Sequence, residues 1–159
     1  MDTLQTIYNH HLWANLRLFE ACLELTEAQL DASIPGVYGT IRDTLRHIAG
    51  AEQSYLSRIS TGLPFQHPKD GPPKQVSVLI ELIKTNGAGF IEWAQKVQAG
   101  DSVEINWDGE LRQVPKTIIL NQVINHATEH RSQVMTMLTQ IGIEPPDVSS
   151  WSYFDARDA

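Results

Sequence analysis

Two histidines, His126 and His130, stand four residues apart in a segment whose apolar residues recur with helical spacing. Residues at positions i and i+4 lie on one face of an α-helix, so these two imidazoles can reach one metal ion together. A third ligand from another helix would complete a site that leaves one position open for water or substrate. His47 is the best candidate for that ligand. The sequence therefore predicts a metal site between two helices.

The same segment has two competing interpretations. His126-Ala127-Thr128-Glu129-His130 matches the H-x-x-E-H pattern of inverted zinc peptidases, in which the glutamate is the general base. That match is weak, because three fixed positions in five residues recur by chance and the sequence shows no distal acidic ligand. For the pair alone, metal binding and two solvated histidines on a helix surface are equally good interpretations.

Composition limits the classes of protein that the chain can belong to. Its 159 residues, 42% of them hydrophobic, suit one globular domain spanning residues 1–159. A net charge of -7 argues against nucleic-acid binding. We expect no membrane attachment and a cytoplasmic location, because the sequence has neither a signal-like N-terminal segment nor a long apolar run. The single cysteine, Cys22, leaves histidines and carboxylates as metal ligands and is itself expected to be a small buried hydrophobe.

Apolar spacing predicts an all-α fold, a four-helix bundle with a small β-hairpin before the last helix. Residues 26–39 and 61–74 are expected to be loops because they contain Pro35-Gly36 and a series of prolines and glycines. Asp108-Gly109 predicts the turn between strands 103–107 and 110–114. The aromatic tail, residues 151–154, is expected to pack onto the bundle. The predicted helices run from about Thr3 to Leu25, from Ile41 after a Thr40 cap to Ser60, from Val76 to Gln98, and from a Thr117 cap to Ile141.

Several other polar and aromatic residues have both a functional and a structural interpretation. We predict that His11 is a hydrogen-bonded core or pocket histidine rather than a ligand, and that His67 is exposed. Glu52, Glu129 and Tyr55 are candidates for an acid, a base or a supporting group near the metal, but solvation or packing is the better interpretation of each. Trp13 and Trp107 are likewise expected in the core or an interface.

Motifs spread over nearly the whole chain resemble the DinB/YfiT-like family of small metal-binding four-helix bundles. This is the damage-inducible bundle family, not the polymerase of the same name. The motifs are loose individually, but their order and spacing are moderately specific. They are Trp13-Ala14-Asn15 with Leu16-Arg17-Leu18, His47-x-x-x-Ala51-x-x-x-Tyr55, and His126-x-x-x-His130-Arg131-x-Gln133. Ser132 departs from the family's usual glycine without touching the ligands, and Val134 stands where the family usually has an aliphatic residue.

The resemblance implies that His47, His126 and His130 bind one divalent metal, such as zinc, nickel or iron, and that the chain forms a homodimer. Members of the wider family include thiol-dependent enzymes, namely bacillithiol S-transferases and a mycothiol-dependent isomerase. The leading hypothesis is therefore transfer of a low-molecular-weight thiol to a small electrophile. Two alternatives are a stress-related metal-binding or interaction protein without turnover, and a metal-dependent hydrolase that uses water as the nucleophile.

Overall fold

The computed structural model describes residues 3–157, so Met1, Asp2, Asp158 and Ala159 lie outside the described residues. It is mostly helical, as predicted, with a two-stranded hairpin before the last long helix. None of the helices within 3–157 is long and apolar enough to cross a membrane. The elements are α1 Thr3–Ala21, α2 Glu27–Leu30, α3 Ile41–Thr61, α4 Val76–Lys96, β1 Ser102–Trp107, β2 Glu110–Pro115, α5 Lys116–Gln140 and α6 Ser150–Arg157.

The four long helices pack so that α1 and α3 each contact both α4 and α5. The first two long helices in the chain are therefore diagonal to each other rather than adjacent. The segment between them, which contains α2, must cross an end of the bundle. This arrangement brings α3 and α5, the two helices that carry the predicted ligands, side by side.

Helix boundaries follow local capping chemistry, and the sequence prediction was right for one of them and wrong for three. Thr40 caps α3 as predicted, since its hydroxyl accepts a hydrogen bond from the Asp43 amide and the Asp43 carboxylate accepts one from the Thr40 amide. The first helix, predicted to reach Leu25, ends at Ala21. Thr26 and Gln29 then form a second capping box that starts the short helix α2, where only a loop was predicted. The predicted Thr117 cap is also wrong, because α5 begins at Lys116.

The hairpin has the predicted register and turn. Val103 pairs with Val114 and Trp107 with Glu110 in an antiparallel ladder. Asp108 and Gly109 both have positive φ, 54° and 91°, as a two-residue hairpin turn requires. Pro115 ends the second strand directly before α5.

The core contains two apolar clusters that share the four long helices. Cys22 lies in the first of them and is fully buried, and burial raises the pKa of its thiol to about 12. The prediction that it is an inert buried residue is confirmed. Gly87 on α4 allows close packing against α1, since a Cβ there would stand 2.5 Å from Leu12 Cδ1.

The loop after α3 packs directly onto that helix. Gly50 makes this possible, because a Cβ at this position would lie 2.7 Å from Pro72 Cγ. Arg46 fastens the loop, donating hydrogen bonds from Nε to the Pro72 carbonyl and from Nη2 to the Asp70 carbonyl at 2.9 and 2.8 Å. The loop is therefore held against α3 one turn from His47.

The aromatic tail packs back only in part. It forms half of α6, in which Tyr153 contacts both His10 and Trp13 on α1, with ring centres 5.5 Å apart in each pair. Trp151, in contrast, is 82% exposed, and Phe154 is also exposed. The expectation that the whole tail is covered was wrong for these two side chains.

Candidate metal centre

The structure brings the three sequence-predicted histidines together. His47 projects from α3, and His126 and His130 project from successive turns of α5. One ring nitrogen from each lies within 4.8 Å of the other two. The Nε2 atoms of His126 and His47 are 2.9 Å apart. We refer to these three residues as the histidine site.

This donor set fits a divalent transition metal. Ligand nitrogens at 2.0–2.1 Å from a tetrahedral ion stand about 3.3 to 3.4 Å from one another, so shifts of about an ångström would suffice here. Three imidazoles without a carboxylate suit zinc, nickel, iron or cobalt rather than magnesium or calcium. Three protein ligands also leave a position open, as in catalytic rather than structural zinc sites.

Burial and the neighbouring rings lower the pKa of two of the three ligands and so favour the neutral form that binds a metal. Burial, followed by the nearby His130 and His47, lowers the pKa of His126 to about 4. Burial and His130 also lower the pKa of His47. A proton on one of these rings would face two further imidazoles at close range. The same crowding makes the site receptive to a cation that all three rings can share.

Gln133 and Tyr38 surround the histidine site, and neither was predicted from residue spacing alone. His130 Nδ1 lies 2.9 Å from Gln133 Oε1, an acceptor, so this contact places the ring proton on Nδ1 and leaves Nε2 free for a metal. The same oxygen accepts a hydrogen bond from the Tyr38 amide at 3.3 Å. The Tyr38 ring stacks on His47 with centres 4.1 Å apart. Gln133 thus links one ligand to the loop that covers another.

A pocket of about 590 Å³ opens beside His47, between α3 and its following loop. Its wall includes Tyr38, Ala51 and Ser54, and the loop contributes His67 and Pro72. His67 is exposed, as predicted, but its Nε2 lies 2.7 Å from Ser54 Oγ. The pocket therefore gives a small molecule access to the histidine site and offers polar groups along one side.

A second polar cluster lies on the α1 side of α3. Glu52 is 1% exposed, and its Oε1 accepts hydrogen bonds from His11 Nε2 at 2.9 Å and Asn15 Nδ2 at 2.7 Å. The prediction of a hydrogen-bonded core histidine is confirmed for His11. The preference for a solvated Glu52 was wrong. The available signal was its place in the apolar stripe of α3, between Ile48 and Tyr55.

Arg131 completes this cluster, which we call the Glu52 network and which comprises His11, Asn15, Glu52 and Arg131. Arg131 Nη1 donates to Asn15 Oδ1 at 2.7 Å, so the Asn15 amide stands between a cation and a carboxylate. Burial lowers the pKa of Arg131 to about 10, although the charge of Glu52 opposes that shift. The network ties α1, α3 and α5 together through the core.

The other residues considered for roles at the metal lie farther from the ligands or face solvent. Glu129 is exposed, which gives no support to the inverted-peptidase interpretation. Tyr55 is half-buried, and its ring centre is 5.8 Å from that of His126. Trp13 packs on Tyr153, as expected of an interface residue. Trp107 is exposed, with the Arg112 guanidinium over its ring, so it is not a core residue within residues 3–157.

Comparison with known proteins agrees with the fold and with the motifs. The model of the DinB family matches residues 1–157. Protein DinB of Bacillus subtilis (strain 168) is 23% identical over 145 residues, which cover 86% of this chain and 84% of that protein. The crystal structure of a DinB-like protein from Bacillus cereus superposes with a TM-score of 0.66 at 23% identity, covering 89% of this chain and 93% of that one. This chain therefore belongs to the DinB family.

Proposed function

We propose that this protein binds one divalent metal through His47, His126 and His130, and that it transfers a low-molecular-weight thiol to a small electrophile. The observation that carries the proposal is the convergence of three imidazole nitrogens within 4.8 Å beside a pocket of about 590 Å³. A metal held for structure alone would be expected in a closed site with four protein ligands. Here the site has three ligands, and one of them, His47, lines an accessible pocket.

The proposed chemistry follows from the absence of negative charge on the three imidazole ligands. Because three neutral imidazoles leave the charge of a divalent ion uncompensated, a bound ion would favour the thiolate form of a thiol near neutral pH. In the transfer, the sulfur forms a bond to the electrophilic carbon and the leaving group departs with its bonding electrons. The thiol proton goes to solvent. The reaction needs no oxidant or reductant.

The residues around the site have separate tasks in this proposal. Gln133 orients His130, and the stacked ring of Tyr38 holds His47 and narrows the entrance. Along the pocket, His67 and Ser54 supply hydrogen-bonding groups for the polar part of a bound molecule. We further propose that the protein acts as a homodimer in the cytoplasm, where thiols are kept reduced.

Elemental analysis of tag-free protein tests metal binding first. We expect about one divalent metal per chain, lost in both His47→Ala and His126→Ala, whose folding is checked by circular dichroism. His67→Ala is the matched control, because it removes a histidine of the same pocket that is outside the cluster, and it should retain the metal. Absence of metal after zinc, nickel, iron and cobalt are offered in turn would overturn the proposal.

Thiol transfer is tested on the cobalt-substituted protein. Added L-cysteine should change the visible spectrum of the cobalt, and the loaded protein should accelerate the reaction of the thiol with 1-chloro-2,4-dinitrobenzene. Ester hydrolysis without thiol would favour the hydrolase instead. Tight metal binding with neither reaction would favour a binding protein without turnover.

A further inference from the structure

A groove of about 350 Å³ lies between α1, α5 and α6, apart from the pocket at the histidine site. We call it the α6 groove. Its walls are apolar and are formed by Ile7, Ile124, Trp151 and Phe154, with Arg131 and His10 among the polar groups that line it. None of the residues of α6 is buried, so this helix leaves much of its aromatic surface uncovered. The groove is of the size that small ligands occupy.

The cation that lines the groove is buried and has hydrogen-bonding capacity to spare. Arg131 is 5% exposed, and it donates to Asn15 Oδ1 and Thr128 Oγ1. A guanidinium carries five N–H donors, so these two bonds leave others for a further acceptor. Glu52 lies behind Asn15 and does not line the groove. The guanidinium therefore has a side that faces the groove, with donors left for a ligand.

The groove presents a cation although the protein is acidic overall. The chain has 19 acidic and 12 basic residues and a net charge of -7. Among the residues that the structure describes, those that line the groove nevertheless include Arg131 and no aspartate or glutamate. His10 adds polarity without negative charge, since its Nε2 lies 2.9 Å from the Val148 carbonyl, to which it can only donate. Apolar walls around a cationic group select a molecule with the opposite charge and an apolar body.

We propose that the α6 groove binds an amphipathic carboxylate, with its aryl or alkyl body between α1 and α6 and its carboxylate on Arg131. Arginine is the side chain best suited to this contact, because its planar fork can meet both carboxylate oxygens. The apolar body would cover Ile7 and Phe154, both of which are exposed in the free chain. This site is independent of the metal and of the proposed transferase activity.

Isothermal titration of metal-free protein with three matched probes tests the proposal. We expect 4-phenylbutyrate to bind at least about tenfold more tightly than neutral 4-phenyl-1-butanol, because a hydrogen bond to a charged group is lost in the alcohol. The cation 4-phenylbutylamine should bind least. Equal affinity for the acid and the alcohol would overturn the proposal, as would the absence of measurable binding of the acid up to its solubility limit.

Substitutions inside and outside the groove test where the acid binds. Arg131→Met should abolish selectivity for the acid, but it also breaks the Glu52 network and can unfold the chain. Ile7→Asp is the second variant, because Ile7 is exposed and a carboxylate there should weaken 4-phenylbutyrate binding by about tenfold or more. Ile7→Asn should have a smaller effect. Ile118→Asp places the same charge at an exposed position outside the groove and should have none.

Two outcomes of the variant series would contradict the proposal. If Ile7→Asp and Ile118→Asp weakened 4-phenylbutyrate binding equally, the loss of affinity would be due to net charge rather than to this groove. A wild-type dimer that Ile7→Asp dissociates in sedimentation, together with no binding of the acid, would show that a second copy of the chain covers this face.

Discussion

In the Glu52 network a buried carboxylate and a buried guanidinium are bridged by the Asn15 amide, although Glu52 Oε2 and His11 Nδ1 have no hydrogen-bond partner within the described residues. In the histidine site three lone-pair donors converge instead, and the described residues hydrogen-bonded to them include no carboxylate. Glu52 accepts from His11 and Asn15, and Asn15 in turn accepts from Arg131. The histidine site instead has lowered pKa values at His126 and His47 and a pocket that opens to solvent. Both clusters use α3 and α5. We infer from this difference that the first cluster stabilises the fold and that the second could hold the proposed metal.

The largest effect on the free energy of unfolding should come from disrupting the Glu52 network. Glu52→Ala leaves the Arg131 cation buried without its compensating charge, and removal of one partner of a buried charge pair costs about 3 to 5 kcal/mol. Urea unfolding in the presence of a chelator measures this free energy.

His126→Ala provides the comparison, because it removes a partly buried ring that has one unpartnered nitrogen, Nδ1, within the described residues. It should change the free energy of unfolding of metal-free protein by less than about 1 kcal/mol. The proposed difference between the clusters would be wrong if Glu52→Ala cost no more than His126→Ala.

A smaller effect is expected at the edge of the histidine site. Gln133→Leu removes the acceptor that fixes the His130 ring and holds the Tyr38 amide. Loss of such an outer partner typically lowers metal affinity about 10- to 100-fold. Competition with a fluorescent zinc chelator measures the change.

Two further variants are controls for Gln133→Leu. The first keeps the acceptor oxygen at position 133, and the second removes a different glutamine. Gln133→Glu keeps an acceptor oxygen and should retain most of the affinity. Gln122→Leu makes the same substitution at an exposed position of α5 and should leave affinity unchanged. Equal affinity of wild type and Gln133→Leu would mean that the His130 ring is held by packing alone.

The smallest effect is a dependence of stability on pH. Burial, with the neighbouring imidazoles, lowers the pKa of His126 from 6.5 to about 4 in the folded chain. Between these values the unfolded chain binds the proton and the folded chain does not, so the free energy of unfolding decreases as the pH falls from 6.5 towards 4. We expect a loss of about 1 to 2 kcal/mol, because solvent screens the partly exposed ring.

Urea unfolding of metal-free protein at pH 7 and near pH 4 measures this dependence. His47 and carboxylates elsewhere also titrate in this range, so the test compares wild type with His126→Gln. The variant should lose less stability than the wild type between the two pH values. Equal losses would show that protonation of His126 does not oppose folding.

The sequence predicted those features that depend on local chemistry. The i, i+4 spacing placed His126 and His130 on one helix face, Thr40 marked a helix start, and Asp108-Gly109 marked a turn. The third ligand, His47 on α3, was not predicted from spacing alone, because it was chosen through the family resemblance as well as the pattern. Thr26-x-x-Gln29 was a local signal for α2 that the prediction did not use.

The remaining features depend on how the helices are arranged. Glu52 meets His11 and Asn15 only because α1 and α3 face each other across the core, which helical periodicity does not determine. Tyr38 reaches His47 from a loop whose path follows from the crossing between those helices. The α6 groove likewise exists because α6 returns to α1 and α5, and no spacing within the segment indicates where it packs.

The burial of Cys22 has a consequence for the proposed transfer of a thiol to an electrophile. Reactive carbon compounds alkylate accessible thiolates, and an exposed cysteine would make such an enzyme a target of its own substrate. The chain has one cysteine, and its thiol lies in the core with its pKa raised to about 12. The only cysteine is therefore shielded from alkylation by a substrate, and a new thioether of a thiol that forms in the presence of the protein reports on an added thiol.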